Sequence, residues 1–258
     1  MKQILQDLSS GETYIEESPA PSLSKKGLKI STQVSLISAG TERMLVDFGK
    51  SSYLDKARQQ PEKVQMVLNK LSTDGLMQTY DTIKSKLDQP IPLGYSNVGI
   101  VQEVDTEVTE FYVGDRVVSN GPHADVVAVK KNLCARIPDN VDNDSAAFTV
   151  VGSVGLQGVR LANPSIGESF VVIGVGLIGL LVVQILRANG CRVLAVDYDV
   201  NKLKLAAQFG AEICDASSGD IFSKTASWSR DRGADGVIIT ASTKSSDPVK
   251  QAAQICRR

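Results

Sequence analysis

The sequence predicts an α/β protein in two parts, a strand-rich part at residues 1–150 and a part at residues 151–258 built on a parallel, doubly wound sheet. Three observations predict this division. Short apolar segments separated by turn residues fill much of the first part, strands and helices alternate in the second, and a glycine-rich turn joins the first strand and helix of that alternation. The 258 residues are 42% apolar and 22% charged, which is ordinary for a globular protein.

The first part has the pattern of a small barrel of short strands. Residues 28–37 and 98–104 alternate with period two, and shorter apolar runs cover 116–118 and 124–129. Glycine, proline and aspartate residues separate these runs, as expected for tight turns. Many short strands with frequent turns favour a β-barrel or sandwich.

One segment, at about 53–88, breaks the strand pattern. Its apolar residues recur at helical spacing, with Pro61 suited to a first helical turn and Gly75 between two helices. The segment is therefore predicted to be a helical insert. It is either structural packing or a lid or partner surface over the site.

Strands and helices alternate through the second part. The predicted strands are 169–173, 192–197, 212–214 and 236–240, and the predicted helices are about 176–189, 199–209, 218–230 and 246–256. This order is typical of a parallel sheet with helices on both faces.

A G-x-G-x-x-G motif stands where the first of these strands meets its helix. Gly174 permits the tight turn, Gly176 lets a pyrophosphate approach the backbone, and Gly179 lets the helix pack on the strand. The N–H groups at the start of the helix, including those of Leu177 and Ile178, would face the phosphates. The alternative is an ordinary βαβ unit whose glycines serve packing.

An acidic residue at the end of the second strand favours a dinucleotide ligand. Asp197 lies 18 residues after Gly179, close to the spacing of about 20 that such sites show. Its carboxylate would accept hydrogen bonds from the adenosine ribose. NAD is expected over NADP, because this charge repels a 2′-phosphate and the next residues, Tyr198 and Asp199, include no arginine to receive one.

The second part has four predicted strands, whereas a complete dinucleotide-binding sheet has about six. We therefore expect the sequence to be a fragment that lacks part of the nicotinamide half of the site. The alternative is a short protein that completes its sheet by dimerising.

Composition excludes several classes of partner. The net charge of −1 gives no basis for a nucleic-acid or membrane-surface partner. The N-terminus lacks the apolar core of a signal peptide, and the apolar run at 170–183 is too short to span a bilayer. The four cysteines are far apart and are expected to be reduced thiols. These absences favour a cytoplasmic protein that acts on a small molecule.

Several strings, taken with the glycine motif, resemble the medium-chain dehydrogenase/reductase family. They are V-G-D-R-V at 113–117, P-L-G at 92–94 and the helix end at 206–211. The resemblance covers about residues 25–258. It implies a GroES-like barrel followed by a Rossmann domain, and a contact of Lys202 with the adenosine ribose.

The sequence departs from the zinc enzymes of that family at the metal ligands. Ser38 stands where they have cysteine, Tyr95-Ser96 replaces a His-Glu pair, and the later cysteine position falls near Val151. Zinc needs about three thiolate, imidazole or carboxylate ligands. His123 is the only histidine, and a lone histidine more often caps or packs. No metal is therefore expected.

A narrower resemblance rests on S-A-G-T-E at 38–42 and G-Y-S-N-V-G at 94–99. The pair is similar to the N-terminal half of bacterial bi-domain oxidoreductases linked to surface-polysaccharide synthesis, which carry a second oxidoreductase domain downstream. It is also similar to the bacteriochlorophyllide dehydrogenase branch, although the string at 156–160 favours the first. Either branch implies a zinc-free oxidoreductase.

Without zinc, a side chain must handle the charge that develops on the substrate oxygen. The candidates are Ser38, Thr41, Glu42, Tyr95 and Ser96, at the positions of the lost metal site. Tyr95 can donate to a carbonyl oxygen, or it can simply fill the former metal cavity. Glu42 can instead anchor the backbone.

The resulting hypothesis is an NAD-dependent dehydrogenase or reductase that acts on an alcohol or carbonyl compound, including a sugar derivative. The alternative is a non-catalytic dinucleotide-binding scaffold or redox-sensing module. The sequence leaves open the substrate, the direction of reaction, the catalytic acid or base, and assembly into a homo-oligomer.

Overall fold

The fold is taken from a computed structural model that describes residues 1–51 and 89–257. The helical insert expected at about 53–88 lies outside the described residues. The chain divides into two compact units, Met1–Val150 and Val151–Arg258. None of the helices within the described ranges is long and apolar enough to cross a membrane.

The first unit is built mainly from short antiparallel strands. Its elements are β1 (Lys2–Gln6), β2 (Thr13–Glu17), β3 (Gly27–Ser35), α1 (Ala39–Lys50), β4 (Ile91–Pro92), β5 (Asn97–Val104), β6 (Arg116–Ser119), β7 (Val126–Lys130), β8 (Cys134–Arg136) and α2 (Asn143–Ala147). The strands form one sheet in the order β2-β1-β4 and a second in the order β7-β3-β5-β6-β8. The alternating apolar side chains of β3 and β5 meet in the core, where Leu28, Ile30 and Val101 are buried.

The second unit is a parallel sheet covered by helices. Its elements are α3 (Thr149–Ala162, which starts at the unit boundary), β9 (Ser169–Ile173), α4 (Leu177–Ala188), β10 (Arg192–Asp197), α5 (Val200–Gln208), β11 (Glu212–Asp215), α6 (Ile221–Ser229), β12 (Gly236–Ile239) and α7 (Asp247–Ile255). The strand order is β11-β10-β9-β12. Each predicted strand and helix of this part is present.

Both faces of the central strand β9 are buried, as a doubly wound sheet requires. Phe170 and Val172 pack on one face with side chains of α3, α4 and α5. Val171 and Ile173 pack on the other with side chains of α6 and α7, including Trp228. The continuous apolar run of β9 is therefore the signature of a strand covered on both sides.

Helix α6 begins later than the sequence predicts, at Ile221 instead of 218. Asp220 is the reason, because its carboxylate accepts hydrogen bonds from the N–H groups of Phe222 and Ser223 at 3.0 and 3.2 Å. Hydrogen bonds from the Ser223 hydroxyl and these two N–H groups also hold the pKa of the Asp220 carboxyl below its usual value. This cap stabilises the beginning of α6 at Ile221, a position that the spacing of apolar residues alone does not indicate.

Replacing Phe170 by alanine should destabilise the second unit by about 3–5 kcal/mol, because this side chain is 1% exposed in its core. Trp228, the only tryptophan of the chain, lies in the same unit, so its fluorescence during urea unfolding reports on this unit. Ile166→Ala is the control, since Ile166 is 88% exposed and its truncation should change stability by less than about 0.5 kcal/mol. Equal unfolding midpoints for the two variants would contradict the core assignment.

Candidate functional site

The turn between β9 and α4 requires glycine at its first position. Gly174 has a φ of +89°, in the left-handed region that side chains rarely adopt. A Cβ atom there would also lie 2.6 Å from the backbone of Ala241. Gly174 is therefore needed for the fold itself, whatever binds above it.

Gly176 is different, because a Cβ atom there would meet nothing within 4 Å. It caps the start of α4 with an ordinary φ of −69°, and no side chain accepts a hydrogen bond from this helix end. The first N–H groups of a helix have no partner within the helix. In α4 these are the N–H groups of Leu177, Ile178 and Gly179, and the open space beside Gly176 at the same helix end suits an anionic group.

Gly179 lets α4 lie directly on the turn. A Cβ atom at this position would be 2.1 Å from the Gly174 carbonyl oxygen and 2.7 Å from the Thr240 hydroxyl. The Thr240 hydroxyl in turn donates to the carbonyl oxygen of Gly174. Thr240, which follows β12, was not expected from the sequence, because nothing in its local pattern shows which turn it will meet.

Asp197 lies at the end of β10 and is hydrogen-bonded to the glycine turn. One carboxylate oxygen, Oδ2, accepts from the Val175 N–H at 2.8 Å, and Oδ1 accepts from the Asp199 N–H at 2.9 Å. Each carboxylate oxygen has capacity for a further hydrogen bond. The residue expected to hold a ribose therefore also fixes the turn expected to hold the phosphates.

Lys202 lies in the first turn of α5, the helix that follows β10. Its Nζ is 3.8 Å from Oδ2 of Asp199, and both side chains are about half exposed. Asp199 itself caps α5 by accepting from the Asn201 N–H at 2.9 Å. The predicted ribose residues Asp197 and Lys202 thus occupy the same end of the sheet as the glycine turn.

In the first unit, Ser38 and Glu42 form a reciprocal pair at the start of α1. The Glu42 N–H donates to the Ser38 carbonyl oxygen at 2.9 Å, and the Ser38 N–H donates to Oε1 of Glu42 at 2.8 Å. The Ser38 hydroxyl does not cap the helix. Ser38 is 3% exposed and Glu42 7% exposed, so this carboxylate is held inside the protein.

His123 bonds to the other oxygen of that carboxylate. Its Nε2 is 3.0 Å from Oε2 of Glu42, and its Nδ1 is 2.9 Å from the Ser35 hydroxyl oxygen. The imidazole is buried, at 6% exposure. If the neutral ring donates from Nε2 to the carboxylate and accepts the Ser35 O–H at Nδ1, then Ser35, His123 and Glu42 all have hydrogen-bond partners.

This contact could not be predicted from the sequence, because 81 residues separate Glu42 from His123. Backbone pairing brings the histidine there: its N–H donates to the Leu93 carbonyl oxygen at 2.8 Å, and its own carbonyl oxygen accepts from the Ile4 N–H at 3.0 Å. The sequence interpretation that a lone histidine caps or packs is consistent with this placement. Its specific partner depends on the register of the sheets.

The structure brings Tyr95 and Thr41 together at a long distance. The Tyr95 hydroxyl is 3.4 Å from the Thr41 hydroxyl oxygen, near the outer limit of a hydrogen bond. The neighbouring Ser96 hydroxyl donates to the Ala147 carbonyl oxygen at 2.5 Å and is buried. Within the described ranges, the Ser96 hydroxyl and both carboxylate oxygens of Glu42 have close partners, whereas the one hydrogen bond of the half-buried Tyr95 hydroxyl is long.

The donor atoms near this point do not fit a zinc site. Ser38 and Tyr95 offer no thiolate, imidazole or carboxylate, and the nearby His123 and Glu42 bond to each other. Across residues 1–51 and 89–257, no three His, Cys, Asp or Glu side chains group so that they could hold a metal ion.

Two family descriptions match the chain, one on each side of residue 170. Residues 65–162 match the alcohol dehydrogenase GroES-like domain, and residues 178–258 match the zinc-binding dehydrogenase family. These matches and the observed sheets confirm the predicted fold class, a GroES-like domain followed by a Rossmann domain.

Curated relatives include dehydrogenases of sugar derivatives. L-idonate 5-dehydrogenase of Vitis vinifera is 30% identical over 156 residues, which cover 48% of this chain and 43% of that protein. D-guloside 3-dehydrogenase of Escherichia coli (strain K12) is 30% identical over 154 residues, which cover 58% of this chain and 44% of that protein. The matched region is thus less than half of each relative.

Solved structures of similar fold include dehydrogenases. Alcohol dehydrogenase TADH from Thermus sp. ATN1 superimposes with a TM-score of 0.77 at 18% identity, covering 100% of this chain and 75% of that one. At this identity the likeness concerns the fold alone.

Alanine substitution at the two glycines at the start of α4 should reduce stability to different extents when no ligand is bound. Gly179→Ala should destabilise the second unit by about 1–3 kcal/mol or more, because the added methyl group meets backbone oxygen. Gly176→Ala should cost less than about 1 kcal/mol, because its methyl group enters open space. Urea unfolding followed by Trp228 fluorescence measures both, and equal losses would contradict the close approach of α4 to the turn.

Proposed function

This chain belongs to the medium-chain dehydrogenase/reductase family, and we propose that it transfers a hydride between NAD and an alcohol or carbonyl compound. The observation that carries the proposal is the arrangement at the end of β9, where Gly176 leaves open space beside the uncapped start of α4. That space and the Asp197 carboxylate beside it fit the pyrophosphate and ribose of a dinucleotide.

The residues that would hold the cofactor are Gly174, Gly176, Leu177, Ile178, Gly179, Asp197 and Lys202. NAD is favoured over NADP because Asp197 presents a carboxylate that the turn itself holds in place. Lys202, whose cation a 2′-phosphate could use, is already close to Asp199. When bound, the nicotinamide ring supplies or accepts the hydride.

Tyr95 is the proposed proton donor to the substrate oxygen during reduction and the proton acceptor during oxidation. Its hydroxyl makes one long contact, with Thr41, among the described residues, and a phenol can donate a proton to a carbonyl oxygen. Glu42 is proposed to anchor the start of α1, since both of its carboxylate oxygens already have partners. The reaction is proposed to need no zinc, because this donor set does not fit that metal.

The proposed substrate class is a sugar-derived alcohol or polyol. Support comes from the relatives, one named for L-idonate and one for D-guloside. Absence of turnover with bound NAD would favour the alternative of a non-catalytic dinucleotide-binding module.

Gly176→Val should lower NAD affinity at least about 100-fold, because the branched side chain would occupy the proposed pyrophosphate space. Gly158→Val is a matched control, since a Cβ atom at Gly158 also meets nothing within 4 Å. Isothermal titration calorimetry gives both affinities, and an unchanged Trp228 emission spectrum shows that the fold is kept. Unchanged NAD affinity in Gly176→Val would show that the turn serves only packing.

Tyr95→Phe should lower kcat about 100-fold or more and leave the KM for NAD unchanged, because only proton transfer is lost. The screen follows formation of reduced cofactor with NAD or NADP and a panel of polyols and sugar alcohols. Tyr112→Phe is the control, as Tyr112 is 64% exposed in the same unit. Preference for NADP, or stoichiometric zinc that activity requires, would contradict the proposal in those respects.

A further inference from the structure

We propose that His123 is a positioning residue that holds Tyr95 at the start of α1. It does so by contacting Glu42, which follows Thr41, and Gly94, which precedes Tyr95. The inference rests on the proposed function, in which Tyr95 handles the proton.

The contact of His123 with Glu42 holds the start of helix α1. Oε2 of Glu42 is 3.0 Å from Nε2 of His123, while Oε1 accepts the Ser38 N–H at 2.8 Å. With both carboxylate oxygens bound, the Glu42 side chain has one orientation, and the backbone on both sides of Thr41 is tied to it. In the described part of the chain, His123 is the one side chain that bonds Oε2 of Glu42.

The contact of His123 with Gly94 holds the loop that carries Tyr95. A Cβ atom at Gly94 would lie 2.6 Å from ring atoms of His123, so the imidazole lies against this backbone. Gly94 also has a φ of +89°, so glycine is required for both conformation and space. The His123 N–H donates to the Leu93 carbonyl oxygen at 2.8 Å, which adds a backbone tie to the packing contact.

These contacts form two adjacent bridges between the same pair of segments. The imidazole of His123 contacts both Glu42 and Gly94. Thr41 directly precedes Glu42 and Tyr95 directly follows Gly94, and the hydroxyl groups of Thr41 and Tyr95 contact each other. The hydroxyl separation of 3.4 Å is at the edge of hydrogen bonding, so a small shift of either segment would break it. His123 is the spacer that sets this separation.

The chemistry of the imidazole defines a conservative replacement. In the neutral tautomer that satisfies both partners, Nε2 donates to Glu42, 3.0 Å away, and Nδ1 accepts from the Ser35 hydroxyl, 2.9 Å away. A glutamine side chain has both a donor and an acceptor and can reach both partners, whereas leucine fills the space and leaves both unpaired. Comparing the two variants therefore distinguishes the effect of the hydrogen bonds of His123 from the effect of its side-chain volume.

The experiment compares His123→Leu and His123→Gln in the whole chain with NAD and an active polyol. His123→Leu should lower kcat at least about 10-fold and leave the KM for NAD unchanged, because the cofactor residues belong to the other unit. His123→Gln should recover most of that loss. Met44→Leu, at a position that is 61% exposed on the same helix, should have wild-type kcat.

Two further measurements do not depend on turnover. Hydrogen exchange of the Ser38 amide, which Glu42 protects, should accelerate about 10-fold in His123→Leu and stay near wild type in His123→Gln. The NMR chemical shifts of the Tyr95 ring should also change in His123→Leu and stay near those of the wild type in His123→Gln. If His123→Leu does not fold, His123→Asn replaces it, since asparagine is too short to bridge both partners.

The outcomes separate this inference from the proposed function. An unchanged kcat in His123→Leu, or a Tyr95 ring that does not respond, overturns the positioning role. A wild-type chain without turnover on any substrate overturns the proposed function. In that case the Tyr95 shifts still decide whether His123 positions this residue.

Discussion

The second unit depends on the close approach of helix α4 to the end of strand β9. Absence of a side chain at Gly179 lets the helix lie against the Gly174 carbonyl oxygen, where a Cβ atom would be only 2.1 Å away. This approach directs the uncapped end of α4 over the turn, and the Asp197 carboxylate holds the middle of the turn through the Val175 N–H. Backbone geometry, rather than side-chain chemistry, thus creates the room for an anionic ligand.

The first unit depends on a different constraint, because several polar groups are buried inside it. Buried polar atoms are costly unless they are paired, and here the pairing runs from Ser35 through His123 and Glu42 to the Ser38 backbone. Every member has a partner, so the chain of bonds joins strand β3, helix α1 and the segment around residue 123 at one point. A fully satisfied network of this kind makes the structure around it rigid, which suits the proposed role of Tyr95.

Residues 178–258 match a family described as zinc-binding dehydrogenases, and the proposed reaction without zinc places a different demand on this chain. Where a metal would polarise a substrate oxygen, the residues offered are hydroxyl groups and a bonded histidine–carboxylate pair. Hydroxyl donors act through hydrogen bonding and proton transfer, which demand closer positioning than a metal charge does. The buried network beside Tyr95 and Thr41 is consistent with that demand.

The sequence by itself determined the second unit almost completely, because a βαβ unit is local. The strand at 169–173, the glycine turn and Asp197 lie within one short segment, and each has its own signal in the sequence, namely a β-branched apolar run, a glycine pattern and an acidic residue after a strand. The contacts of Glu42 with His123, and of Thr240 with Gly174, came only from the tertiary structure. So did strands β1 and β2 and helix α1, whose short segments carry weak patterns. Antiparallel register and sheet order bring distant residues together, and no local spacing encodes which distant residue will be the partner.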